Sequence, residues 1–192
     1  MTIQELKTWI LTEKGLTGTQ NQCLGVAEAA GLSPEIKEIA LKPPWKQLSP
    51  PLLKAYSWSF APSLHPPWPD ILITSGRKSV AAAVYVKKQS KGKTFTLHLQ
   101  DPKISSDKFD LVAVPGHDSL RGENVIVTKG APNLVTADRL KLAAEKFRHI
   151  VPEAPGPVIS VLIGGKSRSY DLTQNDAMRL SDQLLNLTKT HN

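Results

Sequence analysis

The chain has 192 residues, 40% of them hydrophobic and 21% charged, a globular mixture long enough for one ordinary domain and a remainder. A single cysteine, Cys23, excludes an internal disulfide and a cysteine-based zinc site and fits a reducing compartment. A formal charge of +7 favours acidic partners such as phosphates, nucleotide diphosphates or anionic lipid headgroups, with a solvated basic surface as the alternative. No aromatic RNA-binding signature, zinc finger or Lys/Arg block is present, so nucleic acid is not an expected partner.

The N-terminus has no basic leader followed by an apolar stretch, and the apolar run at 80–86 falls far short of the ~20 residues that span a bilayer. A cytoplasmic protein, at most peripheral to a membrane, is the expectation. Residues 7–12 read as a first strand. It leads through Gly15 and Gly18 into a helix over 20–30, closed by Gly31. Such a loop holds an anion at a helix N-terminus, or is an ordinary turn whose two glycines serve geometry alone. Residues 35–41 form a second strand. Between 43 and 69 lie eight of the fifteen prolines and three of the four tryptophans, Trp45, Trp58 and Trp68, which excludes a regular sheet. A short helix is expected at 52–60, and the aromatic groups either pack over the core or lie at a membrane interface.

Residues 70–74 are the clearest strand. Ser75, Gly76, Arg77, Lys78 and Ser79 turn it into an alanine-rich helix over 80–88, for which a hydroxyl supplies the N-cap. This loop is the better anion site, although cations at a helix N-terminus run against the helix dipole and need a reason. Residues 94–100 alternate Phe95, Leu97 and Leu99 against Thr96 and His98, the pattern of a half-buried strand. Strands at 109–114 and 125–127 follow, then a helix over 136–149 with Thr136 as its cap. Three strands thus end in polar loops carrying Asp101, His117 with Asp118, and Lys129. In a parallel α/β sheet those loops share the carboxyl edge, where ligands bind. Asp101, or His117 with Asp118, has the chemistry of a general base; each aspartate equally caps the turn that follows it.

Residues 152–157 are a proline-rich linker, which sets a boundary between a domain at 1–151 and a segment at 158–192. Beyond it, 158–163 read as a β-branched strand followed by Gly164, Gly165, Lys166 and Ser167 and a helix from Thr173. That is how a second α/β unit begins. A P-loop is excluded because Ser160 stands where its first glycine belongs. The five histidines do not approach metal-ligand spacing, so no metal is expected, and no Gly-x-Ser-x-Gly serine-hydrolase motif occurs.

The segments Gly18-Thr19-Gln20-Asn21-Gln22, Pro69-Asp70-Ile71-Leu72-Ile73-Thr74-Ser75-Gly76-Arg77 and Gln100-Asp101-Pro102 carry a resemblance, together with those that follow them. These are 109–115 with His117-Asp118, Arg121-Gly122-Glu123-Asn124-Val125, Thr128-Lys129-Gly130 and Leu162-Ile163-Gly164-Gly165-Lys166-Ser167. In that order they resemble the mitochondrial-fission (elongated mitochondria) family first named in plants and its alphaproteobacterial relatives. The bacterial relatives are described as candidate glycosyltransferases and, under older labels, as nucleoside-diphosphate-sugar epimerases. The resemblance implies a GT-B-like architecture, with a Rossmann-like acceptor-side domain and the first strand-helix unit of an incomplete donor-side one.

By motif, Gly18, Gln20, Asn21, Ser75, Gly76, Arg77, Asp101, His117 and Asp118 line the acceptor side, with Lys129 beside them. Gly164, Gly165 and Ser167 open the donor side. The donor substrate would be a nucleotide-sugar, the acceptor a cell-envelope molecule, and no cofactor is needed. Relatives run longer, so the chain reads as truncated, split or a remnant, with little or no transferase activity alone. A non-catalytic scaffold is the alternative, as plant relatives are thought to recruit dynamin-like fission machinery. Unpaired strand edges at 158–163 call for docking on the first domain or pairing with another chain.

Overall fold

The computed structural model describes residues 3–48, 56–150, 159–164 and 171–190. Its packing divides the chain into two units, Met1–Ala137 and Asp138–Asn192, so the helix that follows the last strand falls with the second unit. The proline-rich linker at 152–157 lies outside the described residues.

The first unit is a seven-stranded sheet in the order β3-β2-β1-β4-β5-β6-β7. The strands are β1 (Thr8–Glu13), β2 (Pro34–Leu41), β3 (Phe60–Ala61), β4 (Ile71–Ser75), β5 (Phe95–Leu99), β6 (Leu111–Pro115) and β7 (Val125–Thr128). Only the two-residue β3 runs antiparallel, pairing Leu41 with Phe60. All other pairs are parallel. This is a Rossmann-like α/β domain, as the strand and loop pattern implies. Helix α1 (Thr17–Ala29) follows β1 and α2 (Ser79–Gln89) follows β4. Gly31, at φ +69°, stands past the end of α1 in the left-handed conformation that glycine adopts without strain.

The two faces of the sheet bury unequal cores. Under α2 lie Trp9, Leu11, Ile39, Leu41, Leu72, Val112 and Val114 with the alanines of that helix. The cluster under α1 is smaller: Ile10, Cys23, Ala27, Ile73 and Leu99. Each fully buried Leu, Ile or Val contributes about 1.5–3 kcal/mol, so the α2 face carries most of the hydrophobic stabilisation. Among the proline-bounded aromatics, Trp45 and Trp68 pack against this core, whereas Tyr56 and Trp58 stay about half exposed. Residues 51–55 of the helix expected at 52–60 lie outside the described residues. The part described is a single 3-10 turn, Ser57–Ser59.

Two expectations about local chemistry are corrected. The first concerns β5, expected to be half-buried: both of its faces are covered, Leu97 and Leu99 packing under α1 and Thr96 and His98 buried on the other side, with Phe95 exposed. Hydrogen bonds serve Thr96 and one ring nitrogen of His98, while His98 Nε2 is buried with no partner among the described residues. The Asp110 carboxylate accepts the Thr96 amide and hydroxyl, both at 2.8 Å, and Lys87 pairs with the same carboxylate at 2.9 Å. His98 Nδ1 lies 2.8 Å from Thr74 Oγ1, and its ring packs 5.0 Å from that of Phe109. The second concerns Ser79, which is no N-cap. Its hydroxyl donates to the carbonyls of Ser75 and Gly76, both at 2.8 Å, and so ties the strand end to the first helical turn.

In the second unit, α3 (Ala137–Phe147) and α4 (Gln174–Thr190) are both amphipathic. Helix α4 starts on a reciprocal cap: the Thr173 hydroxyl accepts the Asp176 amide at 3.2 Å, and the Asp176 carboxylate accepts the Thr173 amide at 3.2 Å. The helix expected after the glycine-rich turn is therefore present. Residues 159–163 of the strand expected before it form no ladder, and Leu162 is 93% exposed. A β-branched run becomes a strand only when a neighbour takes its backbone groups, and none of the described strands does so.

Burial pushes His98 down to about 3, against a smaller opposing pull from Asp101. Its folded pKa therefore lies below the unfolded value of about 6.5. The native state binds fewer protons between the two, so the stability from a neutral His98 is complete above pH ~6.5 and is lost as pH falls toward 3. Urea unfolding across that range should show a falling free energy. A flat profile between pH 6.5 and 4 would contradict a buried neutral imidazole.

Candidate functional site

The carboxyl ends of β5, β6 and β7 meet the flank of α1 around a groove of about 400 Å³. Gln22, Gln100, Asp101, His117 and Asp118 supply its polar groups, with Lys103, Pro115 and Ala131 completing the wall. Sheet topology produces this gathering. Parallel strands end on one edge, so residues far apart in sequence arrive together. The predicted trio Asp101, His117 and Asp118 is thus brought into one site.

The trio is chemically unequal. Asp101 Oδ1 accepts the Lys103 amide at 2.8 Å, a turn-capping bond, and Oδ2 pairs with the Lys103 ammonium at 2.6 Å. Burial works to raise the Asp101 carboxyl, but the Lys103 hydrogen bonds and charge outweigh it and hold the group below the usual range. Lys103 is raised in turn, mainly by its bond to Asp101 and more weakly by Asp118. One ammonium therefore feels both carboxylates. Asp118 is differently placed: its amide closes a turn on Pro115 O at 2.9 Å, while its carboxylate accepts no hydrogen bond among the described residues. His117 beside it is exposed.

Two features of the groove leave little signal in the sequence. Gln22 Oε1 accepts from Ser75 Oγ at 3.3 Å and from Gln100 Nε2 at 3.0 Å, linking α1 to the ends of β4 and β5. Gln22 stands within the Gly18 to Gln22 segment, and its four-residue spacing from Gly18 is the only hint of a shared helix face. The other feature is backbone strain. Gln100 at φ 80° and Lys103 at φ 58° are left-handed non-glycine residues flanking Asp101-Pro102. Each costs about 1 kcal/mol or more, and such strain concentrates at ligand sites.

The other predicted residues fall around the groove. Ser75 is buried and reaches it through Gln22. Gly76, at φ +87°, lets the β4 loop pass α1, where an added Cβ would lie 3.4 Å from Thr19 Cγ2. Gly18 and Asn21 are exposed on the first turns of α1 and Gln20 is half-buried. Arg77 and Lys129 are exposed, and neither lines the groove. Lys78 supplies the reason that cations at a helix N-terminus require, because it pairs with Glu13 at the end of β1. Gly164 belongs to the second unit, with open space around it. Gly165 and Ser167 lie outside the described residues. Among the described residues, no group of three His, Cys, Asp or Glu side chains is placed to hold a metal ion. Among the same residues, no helix is long and apolar enough to cross a membrane.

Comparison with known proteins adds a match to the family described as mitochondrial fission ELM1, over residues 17–192. The chain belongs to the mitochondrial fission ELM1 family. The matched span contains every residue of the groove. The chain is 24% identical over 145 residues to the mitochondrial fission protein ELM1 of Arabidopsis thaliana, covering 64% of this chain and 34% of that relative. It therefore spans about a third of the length of this curated ELM1 relative. No solved structure matches.

The groove wall depends on one close approach. A Cβ on Gly25 of α1 would sit 2.3 Å from Asn133 O in the loop after β7, two residues beyond Ala131. Gly25→Ala gains up to about 1 kcal/mol of helix propensity, but it must push backbone aside at a cost of about 1–3 kcal/mol. The clash should win, lowering the urea midpoint. Gly18→Ala, which meets nothing within 4 Å, should be neutral or mildly stabilising in the same assay. Equal effects at the two glycines would contradict the packing of this loop on α1.

Proposed function

We propose that the groove is the acceptor side of a GT-B-like, nucleotide-sugar-dependent glycosyltransferase. The observation that carries this reading is the convergence of three titratable groups, Asp101, His117 and Asp118, with two amides, Gln22 and Gln100, on one sheet edge. Amides and carboxylates are what a polyhydroxylated acceptor needs for orientation. Transfer then requires one unengaged base. Asp118 has that role, supported by His117, because the Asp101 carboxylate is committed to Lys103. The acceptor oxygen bonds to the anomeric carbon, the bond from that carbon to the diphosphate oxygen breaks, and the acceptor proton passes to the base. The nucleoside diphosphate leaves.

Gly164, Gly165 and Ser167 belong to the donor side in this reading, and most donor contacts come from the part of the relative's length that lies outside the matched third. A cytoplasmic location suits such a donor. A second reading is favoured by the name of the Arabidopsis relative, a mitochondrial fission protein. In it the fold is a scaffold that recruits a partner, and the apolar faces of the second unit hold that partner or a second copy of the chain.

Sugar transfer and nucleotide-sugar affinity, measured with the chain alone and with a relative's donor-side half added in trans, separate the readings. The chain alone should show little turnover and weak donor binding. The combination should transfer sugar, and Asp118→Asn should lower kcat by about 10²–10⁴ with the fold intact. Micromolar donor binding by the chain alone would contradict the division of labour. Transfer unchanged in Asp118→Asn would remove its role as base. A folded combination with no transfer would favour the scaffold.

A further inference from the structure

A second concave site lies on the same sheet edge, on the other side of β4. Glu13, Lys14, Ala40, Leu41, Lys46 and Lys78 enclose about 210 Å³ at the carboxyl ends of β1 and β2. Its three ammonium groups come from separate pieces of chain. Lys14 follows β1, Lys46 belongs to the 3-10 turn Trp45–Gln47, and Lys78 directly precedes α2. Glu13 pairs with Lys78, and the two side chains are only 23% and 32% exposed. Among the described residues no carboxylate pairs with Lys14 or Lys46.

Three lysines and one glutamate line this concavity beside Ala40 and Leu41, and with Glu13 paired to Lys78 the formal excess is two positive charges. A dianion seated among cationic side chains gains Coulomb attraction from each of them, and a concave setting strengthens that attraction relative to open water. Lysine ammoniums act as point charges and suit a phosphate group approached from several directions. The volume holds such a group but not a nucleoside beside it. Next to Lys46, Trp45 makes an edge contact with Trp58 at 4.5 Å, and Trp58 stacks on Tyr56 at 5.6 Å. Trp58 and Tyr56 are 55% and 51% exposed. Exposed aromatic rings beside lysines favour the headgroup level of a lipid surface, so the phosphate has two candidate sources.

We propose that Lys14, Lys46 and Lys78 form a phosphate-binding pocket, separate from the polar groove, which takes the phosphate group of a small phosphorylated solute or of an anionic phospholipid. The Glu13 carboxylate holds Lys78 in place while Lys14 and Lys46 supply the uncompensated charge. This inference does not rest on glycosyl transfer.

Calorimetric titration of the chain with inorganic phosphate and pyrophosphate, at ionic strength fixed with sodium chloride, tests the solute source. Co-sedimentation with phosphatidylcholine vesicles, with and without phosphatidic acid, tests the lipid source. The wild type should bind in at least one arm, and the double variant Lys14→Gln, Lys46→Gln should weaken that binding roughly tenfold or more. The charge-matched variant Lys91→Gln, Lys93→Gln, in the turn after α2, should bind as the wild type does. All four lysines are exposed, so both variants should keep the wild-type unfolding curve. Binding to phosphate alone assigns a soluble ligand, and binding to phosphatidic acid vesicles alone assigns a headgroup. No binding in either arm would overturn the proposal, as would equal loss in the two variants, which would reduce the effect to net charge.

Discussion

Everything on the working edge of this protein depends on the parallel pairing of β1 with β4, Thr8 opposite Ile71 through Leu11 opposite Thr74. The strand order reverses at that pair, so the chain leaves β1 for a helix on one face and β4 for a helix on the other. The result is two cores of different size and two separate concavities on one edge. One lies between α1 and the loops after β5, β6 and β7; the other lies at the ends of β1 and β2. The Glu13–Lys78 ion pair ties the exits of the two central strands together and leaves the polar groove free of that charge.

Within the groove, chemistry is divided by hydrogen bonding more than by residue type. Asp101 and Asp118 share one edge and one nearby ammonium, yet Asp101 is fixed by the amide and side chain of Lys103 while the carboxylate of Asp118 accepts no hydrogen bond among the described residues. A carboxylate held by a cation is a poor base and a good anchor. Strained backbone at Gln100 and Lys103 aims the anchor, and the bridge from Ser75 through Gln22 to Gln100 braces it. Membership in the mitochondrial fission ELM1 family covers all of these residues.

Most of the sheet was legible in the sequence, because apolar runs such as 70–74 and 109–114 sit between turn residues and Gly31 marks the end of α1, although neither α1 nor α2 starts on a side-chain cap. The gathering of Asp101, His117 and Asp118 followed from strand ends alone. What stayed hidden had non-local causes. Both phases of β5 are covered, and Thr96 can be buried on the polar one because Asp110, fourteen residues later, supplies its hydrogen bonds. Gly25 reads as an ordinary helical glycine until the loop carrying Asn133 is laid across it. Gln22 is indistinguishable from Gln20 or Asn21 without knowing which side of α1 faces the sheet edge. Residues 159–163 carry strand composition without a strand, since composition cannot supply a pairing neighbour.

On the proposed function, a hydroxyl-rich ligand binds in the groove between α1 and the loops after β5, β6 and β7. Crystals of the chain soaked with a panel of small sugars and sugar alcohols test it directly. The account predicts electron density for at least one of them in the groove, hydrogen-bonded to Gln22, Gln100 or Asp101 and within reach of Asp118. Density confined to other surfaces, with the groove holding only water across the panel, would contradict it.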